Sequence, residues 1–139
     1  MSTSVLASPR FLPRVMALDA ASCAATGAAQ LAFTDALARL TGLPVGLLVG
    51  TGVFLLLYAA AAAWIARLQP VMRTLIGLVA VGNFGWAVGC VALLASGLYA
   101  VSALGMAWVL AQAVTVVLLG EAQWMGLRAT RSPSAVVAA

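Results

Sequence analysis

Few side chains in this 139-residue sequence could take part in chemistry. There is no histidine, and the three carboxylates are Asp19, Asp35 and Glu121. Asp19 and Glu121 lie near the ends of long apolar segments, where a charged group is costly and is a candidate for proton transfer or substrate binding. The alternative is structural pairing with arginine at the membrane boundary, which is the favoured interpretation for both. The arginines within reach are Arg14, Arg67, Arg73 and Arg128.

The known catalytic patterns are missing from the sequence. It contains no HExxH motif, no serine or cysteine beside a potential base, and no glycine loop for phosphate. Cys23 and Cys90 fall inside apolar runs and lack the spacing of a metal site. We therefore expect a protein that is not an enzyme and that needs no cofactor or metal.

Polar side chains occur at a similar depth in all four long apolar segments. Asn83, in the stretch "VGNFGWAVGC", lies nine residues, or about 13 Å, from the start of its apolar run at Thr74, at 1.5 Å per helical residue. On the last segment Gln112 lies at a comparable depth, so Asn83 and Gln112 are the expected interhelical pair, with Tyr58 as a third member. The full candidate polar cluster is Asp19, Cys23, Thr26, Tyr58, Asn83 and Gln112.

Two interpretations of this cluster are open. Amides on neighbouring membrane helices can bond each other and fix the helix register, contributing about 0.6 kcal/mol per contact and up to about 2 kcal/mol. The same groups could instead line a small polar cavity for a substrate or a quinone-like ligand. Structural pairing is favoured, because no chemically reactive group accompanies the pair of Asn and Gln side chains.

The elements that must position these residues are membrane-spanning helices. The chain is 65% hydrophobic and only 7% charged, whereas about a quarter of a soluble domain is charged. Four stretches reach the roughly 20 apolar residues that a bilayer requires. Short connections make consecutive helices antiparallel neighbours, so we predict an all-α, up-down four-helix bundle forming one domain. The predicted spans are residues 15–33, 45–66, 71–95 and 102–122, and residues 34–43 are expected to form an amphipathic surface turn.

The arginines predict the orientation of the bundle. Six of the seven would collect on one side if both termini lay there, and only Arg39, offset by Asp35, would lie opposite. This bias places both termini in the cytoplasm, with residues 1–12 and 128–139 as flexible tails. The arginines are scattered singly, so no nucleic-acid partner is expected. A cleaved signal peptide is the alternative for the first span, but four residues between Arg14 and Asp19 are too few for its apolar region.

The third span carries a strip of small residues, Gly82, Gly85 and Gly89, suited to close helix packing. Together with the scarcity of reactive groups, it favours a non-enzymatic subunit, assembly partner or homo-oligomeric scaffold that contacts lipid and itself or another membrane protein. One alternative is a small transporter or channel, in one version proton-linked, with a polar cavity in the cytoplasmic half. Another is a lipid- or quinone-binding module around Tyr58, Trp86 and Trp108.

Several short stretches carry a resemblance to known proteins: "TGLP", "GNFGW" at 82–86, "LAQAV" at 110–114 and "GEAQWMGLRATR" at 120–131. They resemble a group of uncharacterised small bacterial inner-membrane proteins of four helices, loosely comparable to the DoxX-like bundles. The resemblance implies a four-helix bundle in the bacterial inner membrane. It implies no activity and no site residues.

Overall fold

The computed structural model describes residues 3–130, which are almost entirely helical and contain no strand. Four long helices are apolar enough to cross a membrane, which confirms the predicted all-α, four-span architecture. They are α2, α4, α5 and α6, while α1 and α3 are short. The six helices are α1 Thr3–Leu6, α2 Phe11–Ala32, α3 Thr34–Thr41, α4 Val45–Arg67, α5 Arg73–Ser96 and α6 Ala103–Ala129.

The ends of the first and last long helices differ most from the prediction. Helix α2 begins at Phe11 rather than Val15, and α6 continues to Ala129 rather than ending at 122. Residues 123–129 contain no proline and are mostly good helix formers, so nothing stops the helix at Ala122. Parts of both predicted tails are therefore helical. Residues 131–139, including Arg131, lie outside the described residues.

The long helices associate as two antiparallel pairs. Helix α2 packs against α4 along its length, and α5 packs against α6, while contacts between the pairs are sparser and are closer between α2 and α6 than between α4 and α5. Gly27 and Gly52 explain the tight first pair. A Cβ atom on Gly27 would lie 2.8 Å from the carbonyl oxygen of Gly52, so the two backbones approach as only glycine permits.

The two ends of the bundle are held in different ways. At the end that holds the start of α2 and the end of α6, called here the terminal end, Arg73 donates hydrogen bonds to the Leu127 carbonyl and the Thr130 hydroxyl. At the opposite end, called the α3 end, Ser102 caps α6 by accepting from the Gly105 N–H at 3.0 Å. The Ser102 N–H also donates to the Thr41 carbonyl at 2.9 Å, which fastens α3 over the bundle.

Candidate functional site

A cluster of polar side chains lies inside the terminal half of the bundle, and Asp19 is at its centre. Asp19 and Gln123 are 0% exposed and Asn83 is 2% exposed, although all three side chains are polar. With Tyr58, they bring one side chain from each of the four long helices to a common point. These four residues, Asp19, Tyr58, Asn83 and Gln123, are called the Asp19 cluster below.

The side chains around Asp19 all donate to it. Oδ2 of Asp19 accepts from Nε2 of Gln123 at 2.7 Å, from Nδ2 of Asn83 at 2.8 Å and from the Tyr58 hydroxyl at 3.4 Å. Oδ1 accepts a weaker contact from the thiol of Cys23 at 3.6 Å. A carboxylate can only accept, so this arrangement matches the hydrogen-bonding capacity of the ionised form.

The amide oxygens of the cluster also lie near donors, and the single proton of the Tyr58 hydroxyl is shared between Asp19 and Asn83. The Tyr58 hydroxyl lies 3.3 Å from Oδ1 of Asn83, and Nδ2 of Asn83 lies 3.2 Å from Oε1 of Gln123. Nε2 of Gln123 makes a further contact of 3.5 Å with the sulfur of Met16. The cluster is thus a closed network, in which amide and hydroxyl dipoles surround the carboxyl group of Asp19.

The expected pair of Asn83 with Gln112 is wrong. The amide nitrogen of Asn83 donates to Asp19 and Gln123, and the side chain of Gln112 forms no hydrogen bond within residues 3–130. The error follows from the end of α6. If the last span ended at 122, Gln112 would match the depth of Asn83; because α6 ends at Ala129, the matching level moves towards Gln123. Gln123 shares a helical face with Gln112, which is the signal that could have identified it.

The remaining predicted members divide between the cluster and a separate cleft. Cys23 and Tyr58 contact Asp19, as their placement in the predicted cluster implied. Thr26 does not reach the cluster, since its hydroxyl donates to the Ser22 carbonyl at 2.9 Å. Thr26 and Gln112 instead line a cleft between α2 and α6.

The expected charge pairing at the boundary is absent from residues 3–130, where neither Asp19 nor Glu121 lies within 4.0 Å of an arginine nitrogen. Glu121 is exposed on α6, and Arg73 binds the carboxyl end of α6 instead. Both acids also lie deeper than expected, since Asp19 is eight residues after the start of α2 and Glu121 eight before the end of α6. The other three arginines of the expected set are exposed: Arg14, Arg67 and Arg128.

The glycine strip of α5 lies on the outer surface. Gly82, Gly85 and Gly89 are exposed, and a Cβ atom added at any of them would meet nothing within 4 Å. Their spacing places all three on one side of the helix. The strip therefore takes no part in packing within the described chain and is free to contact another molecule.

Few side chains in the described residues could bind a metal ion or form a covalent bond. No three histidine, cysteine, aspartate or glutamate side chains lie close enough to hold a metal ion there. Cys23 and Cys90 are both buried and unpaired with each other.

Comparisons with known proteins return no relative. No protein-family model matches the chain, and neither a curated protein nor a solved structure is significantly similar to it. The likeness to DoxX-like bundles stays a prediction, and any function must be argued from the geometry of the chain itself.

Proposed function

We propose that this multi-pass membrane protein is a non-enzymatic subunit or homo-oligomeric scaffold of the bacterial inner membrane, assembled through the glycine strip of α5. The observation that carries the proposal is the open surface over Gly82, Gly85 and Gly89. Glycine gives a helix a shallow groove, in which the backbone of a second helix can approach closely and gain packing contacts.

The surroundings of the strip support this use. Val81 and Val88 lie along one flank of the strip and are 61% and 68% exposed, so they form a ridge beside the groove. Within the chain, α5 contacts α4 very little, which leaves much of its surface for a partner. The Asp19 cluster also supports a structural role, because it is buried and its hydrogen bonds are satisfied, as expected of a group that fixes helix register.

The association can be tested in liposomes with two labelled populations of the protein. Wild-type copies, alone or with a partner co-purified from native membranes, should associate, and Gly85→Leu should abolish the association by filling the groove. Gly50→Leu on α4 is the matched control, because Gly50 is also exposed to open space. A wild-type protein that purifies alone and monomeric contradicts the proposal, as does a Gly85→Leu variant that associates normally.

The orientation is part of the same proposal. The start of α2 and the end of α6 lie together, since a Cβ atom on Gly126 would lie 2.7 Å from Leu12. Five of the described arginines lie towards this end, whereas Arg39 and Asp35 lie in α3. The arginine bias favours a cytoplasmic terminal end. Reporter domains fused to the two termini should both be active in the cytoplasm; opposite locations contradict a four-span arrangement.

A proton-linked transporter or channel is the second candidate. It is favoured by one observation: Asp19 is buried inside a span with no arginine beside it, and such residues commonly serve proton or ion movement. A cavity of about 70 Å³ lined by Cys23, Tyr58 and Asn83 adjoins the cluster. Proton flux can be followed in liposomes that contain a pH-sensitive dye. If Asp19→Asn abolishes this flux without lowering the melting temperature of the protein, the result favours this candidate over the scaffold.

A further inference from the structure

A cleft between α2 and α6 is an internal feature that the proposed assembly leaves unused. It has a volume of about 160 Å³, and it is called the α2–α6 cleft below. Helix α2 and α6 make fewer contacts than the two tight pairs, and Ala111 and Thr115 on the α6 wall are exposed. The cleft therefore opens sideways towards the lipid. Its principal side chains are Ser22, Thr26, Trp86, Trp108, Gln112 and Thr115.

Two polar groups in the cleft wall lack a hydrogen-bond partner within residues 3–130. The indole N–H of Trp108 is buried and has no acceptor, and it is the one buried side-chain polar atom there in that condition. The amide of Gln112, one helical turn further along α6, forms no hydrogen bond either, and both side chains line the cleft. An unsatisfied donor is expensive in an apolar setting, so the pair requires a partner from outside the chain.

The hydroxyl groups of the cleft wall are already satisfied. The hydroxyls of Ser22, Thr26 and Thr115 donate to carbonyls of their own helices at 2.9, 2.9 and 2.8 Å. The rest of the wall is apolar or aromatic, including Leu55 and Trp86. A ligand would thus meet the buried, unsatisfied N–H of Trp108, the free amide of Gln112 and, apart from the indole N–H of Trp86, an otherwise apolar surface.

We propose that the α2–α6 cleft binds an apolar molecule from the bilayer that carries a carbonyl oxygen, which accepts the N–H of Trp108. Gln112 would bond the same oxygen or a second polar atom of the molecule. A cavity of about 150 Å³ accommodates a benzene ring, so the cleft is large enough for one carbonyl-bearing ring or a short length of acyl chain, with the rest of the molecule extending through the lateral opening. This proposal uses α2 and α6 and not the strip on α5, so it stands or fails separately from the assembly role.

The depth of the two side chains restricts the ligand. Trp108 lies about 8 Å and Gln112 about 14 Å along α6 from its start, at 1.5 Å per residue. Charged head groups are excluded from this level of the bilayer, so the carbonyl belongs to an apolar ring or chain. The two sources of that chemistry are the ring carbonyl of a quinone and the ester carbonyl of a glycerolipid.

The test is a titration of the purified full-length protein, in detergent, with the naphthoquinone menadione. Nuclear magnetic resonance of ¹⁵N-labelled indole groups follows each tryptophan N–H separately. We expect one resonance, absent from Trp108→Phe, to shift downfield as menadione binds. Trp108→Phe keeps the aromatic ring but loses the donor, and should weaken binding about fivefold, as the loss of one neutral hydrogen bond predicts. Trp64→Phe, at an exposed site, is the matched control and should leave binding unchanged.

A second arm distinguishes the lipid source. If the natural carbonyl is an ester, native mass spectrometry of the protein from lipid-containing detergent should show a retained glycerolipid. The variants Trp108→Phe and Gln112→Leu should lose this lipid. Retention of the lipid without menadione binding assigns the cleft to glycerolipid; menadione binding without it assigns the cleft to a quinone. The proposal is overturned if neither molecule binds, or if both bind and Trp108→Phe changes neither.

Discussion

The carboxylate of Asp19 on α2 accepts a hydrogen bond of 2.7 Å from the side-chain amide of Gln123 on α6, 104 residues later. Both side chains are 0% exposed, so this contact joins the first and last spans inside the bundle. It also links the two tight helix pairs, whose other contacts are sparser. The Asp19 cluster is therefore the polar connection that sets the register of one pair against the other.

The first prediction compares the two glutamines of α6. Gln123→Leu removes the 2.7 Å donor to Asp19 and the acceptor for Asn83, so it should lower the free energy of unfolding by about 1–2 kcal/mol, the upper range for polar contacts between membrane helices. Gln112→Leu should have little effect in the absence of a ligand, because Gln112 forms no internal bond. Thermal unfolding in detergent measures both variants. A larger loss for Gln112→Leu would mean that the register of α6 is misplaced.

The sequence predicted the fold more completely than the site. Hydropathy and length located all four spans, because each span must bury its backbone bonds and present an apolar surface to lipid. The polar cluster predicted from the sequence includes Asp19 and Cys23, and both side chains are buried in the structure. Three members of the Asp19 cluster, Asp19, Tyr58 and Asn83, were among the residues selected from the sequence.

The missed partner, Gln123, depended on information that is not local. The predicted depth of a side chain depends on where its helix is assumed to end. No proline or glycine pair marks the point at which a membrane helix leaves the hydrocarbon and continues into water. An error of seven residues at the end of α6 corresponds to about two helical turns, and it exchanged Gln112 for Gln123. The unpaired state of Glu121 depends on the same helix end.

The second prediction concerns the close contact of α2 with α4. Gly27→Val should destabilise the protein by about 1–3 kcal/mol, because its Cβ would lie 2.8 Å from a backbone oxygen of Gly52 that cannot easily move. Gly50→Val, only two positions from Gly52 but facing open space, should cost little. Chemical denaturation in mixed micelles measures the difference. Equal effects of the two variants would indicate that the valine side chain disturbs α4 or α2 through helix propensity and not through packing.

The third prediction concerns Arg73 at the terminal end. Its guanidinium donates to the Leu127 carbonyl and the Thr130 hydroxyl, which satisfies the free end of α6 and places a cation at its negative pole. Arg73→Met should fray the last turn of α6 and speed hydrogen exchange of the amides between Gly126 and Thr130. Arg67→Met replaces an exposed arginine at the end of α4 and should leave the exchange rates of those amides unchanged. Slow exchange in Arg73→Met would show that packing alone holds the end of α6.

The fourth prediction tests whether the Asp19 cluster acts as one unit. Asp19→Leu alone removes the acceptor shared by Tyr58, Asn83 and Gln123 and leaves Nε2 of Gln123 with only the sulfur of Met16, and an unsatisfied buried donor costs about 1–3 kcal/mol. Replacing Asp19, Asn83 and Gln123 together by leucine removes both amide donors as well as the acceptor, and only the Tyr58 hydroxyl of the cluster remains. The triple variant should then be more stable than Asp19→Leu, although it carries two more substitutions, because the costs of coupled groups do not add. Melting temperatures of the single and triple variants, measured in the same detergent, decide the matter. A triple variant that loses the sum of the three single effects would mean that the side chains contribute separately, and the cluster could not then set the register of the bundle.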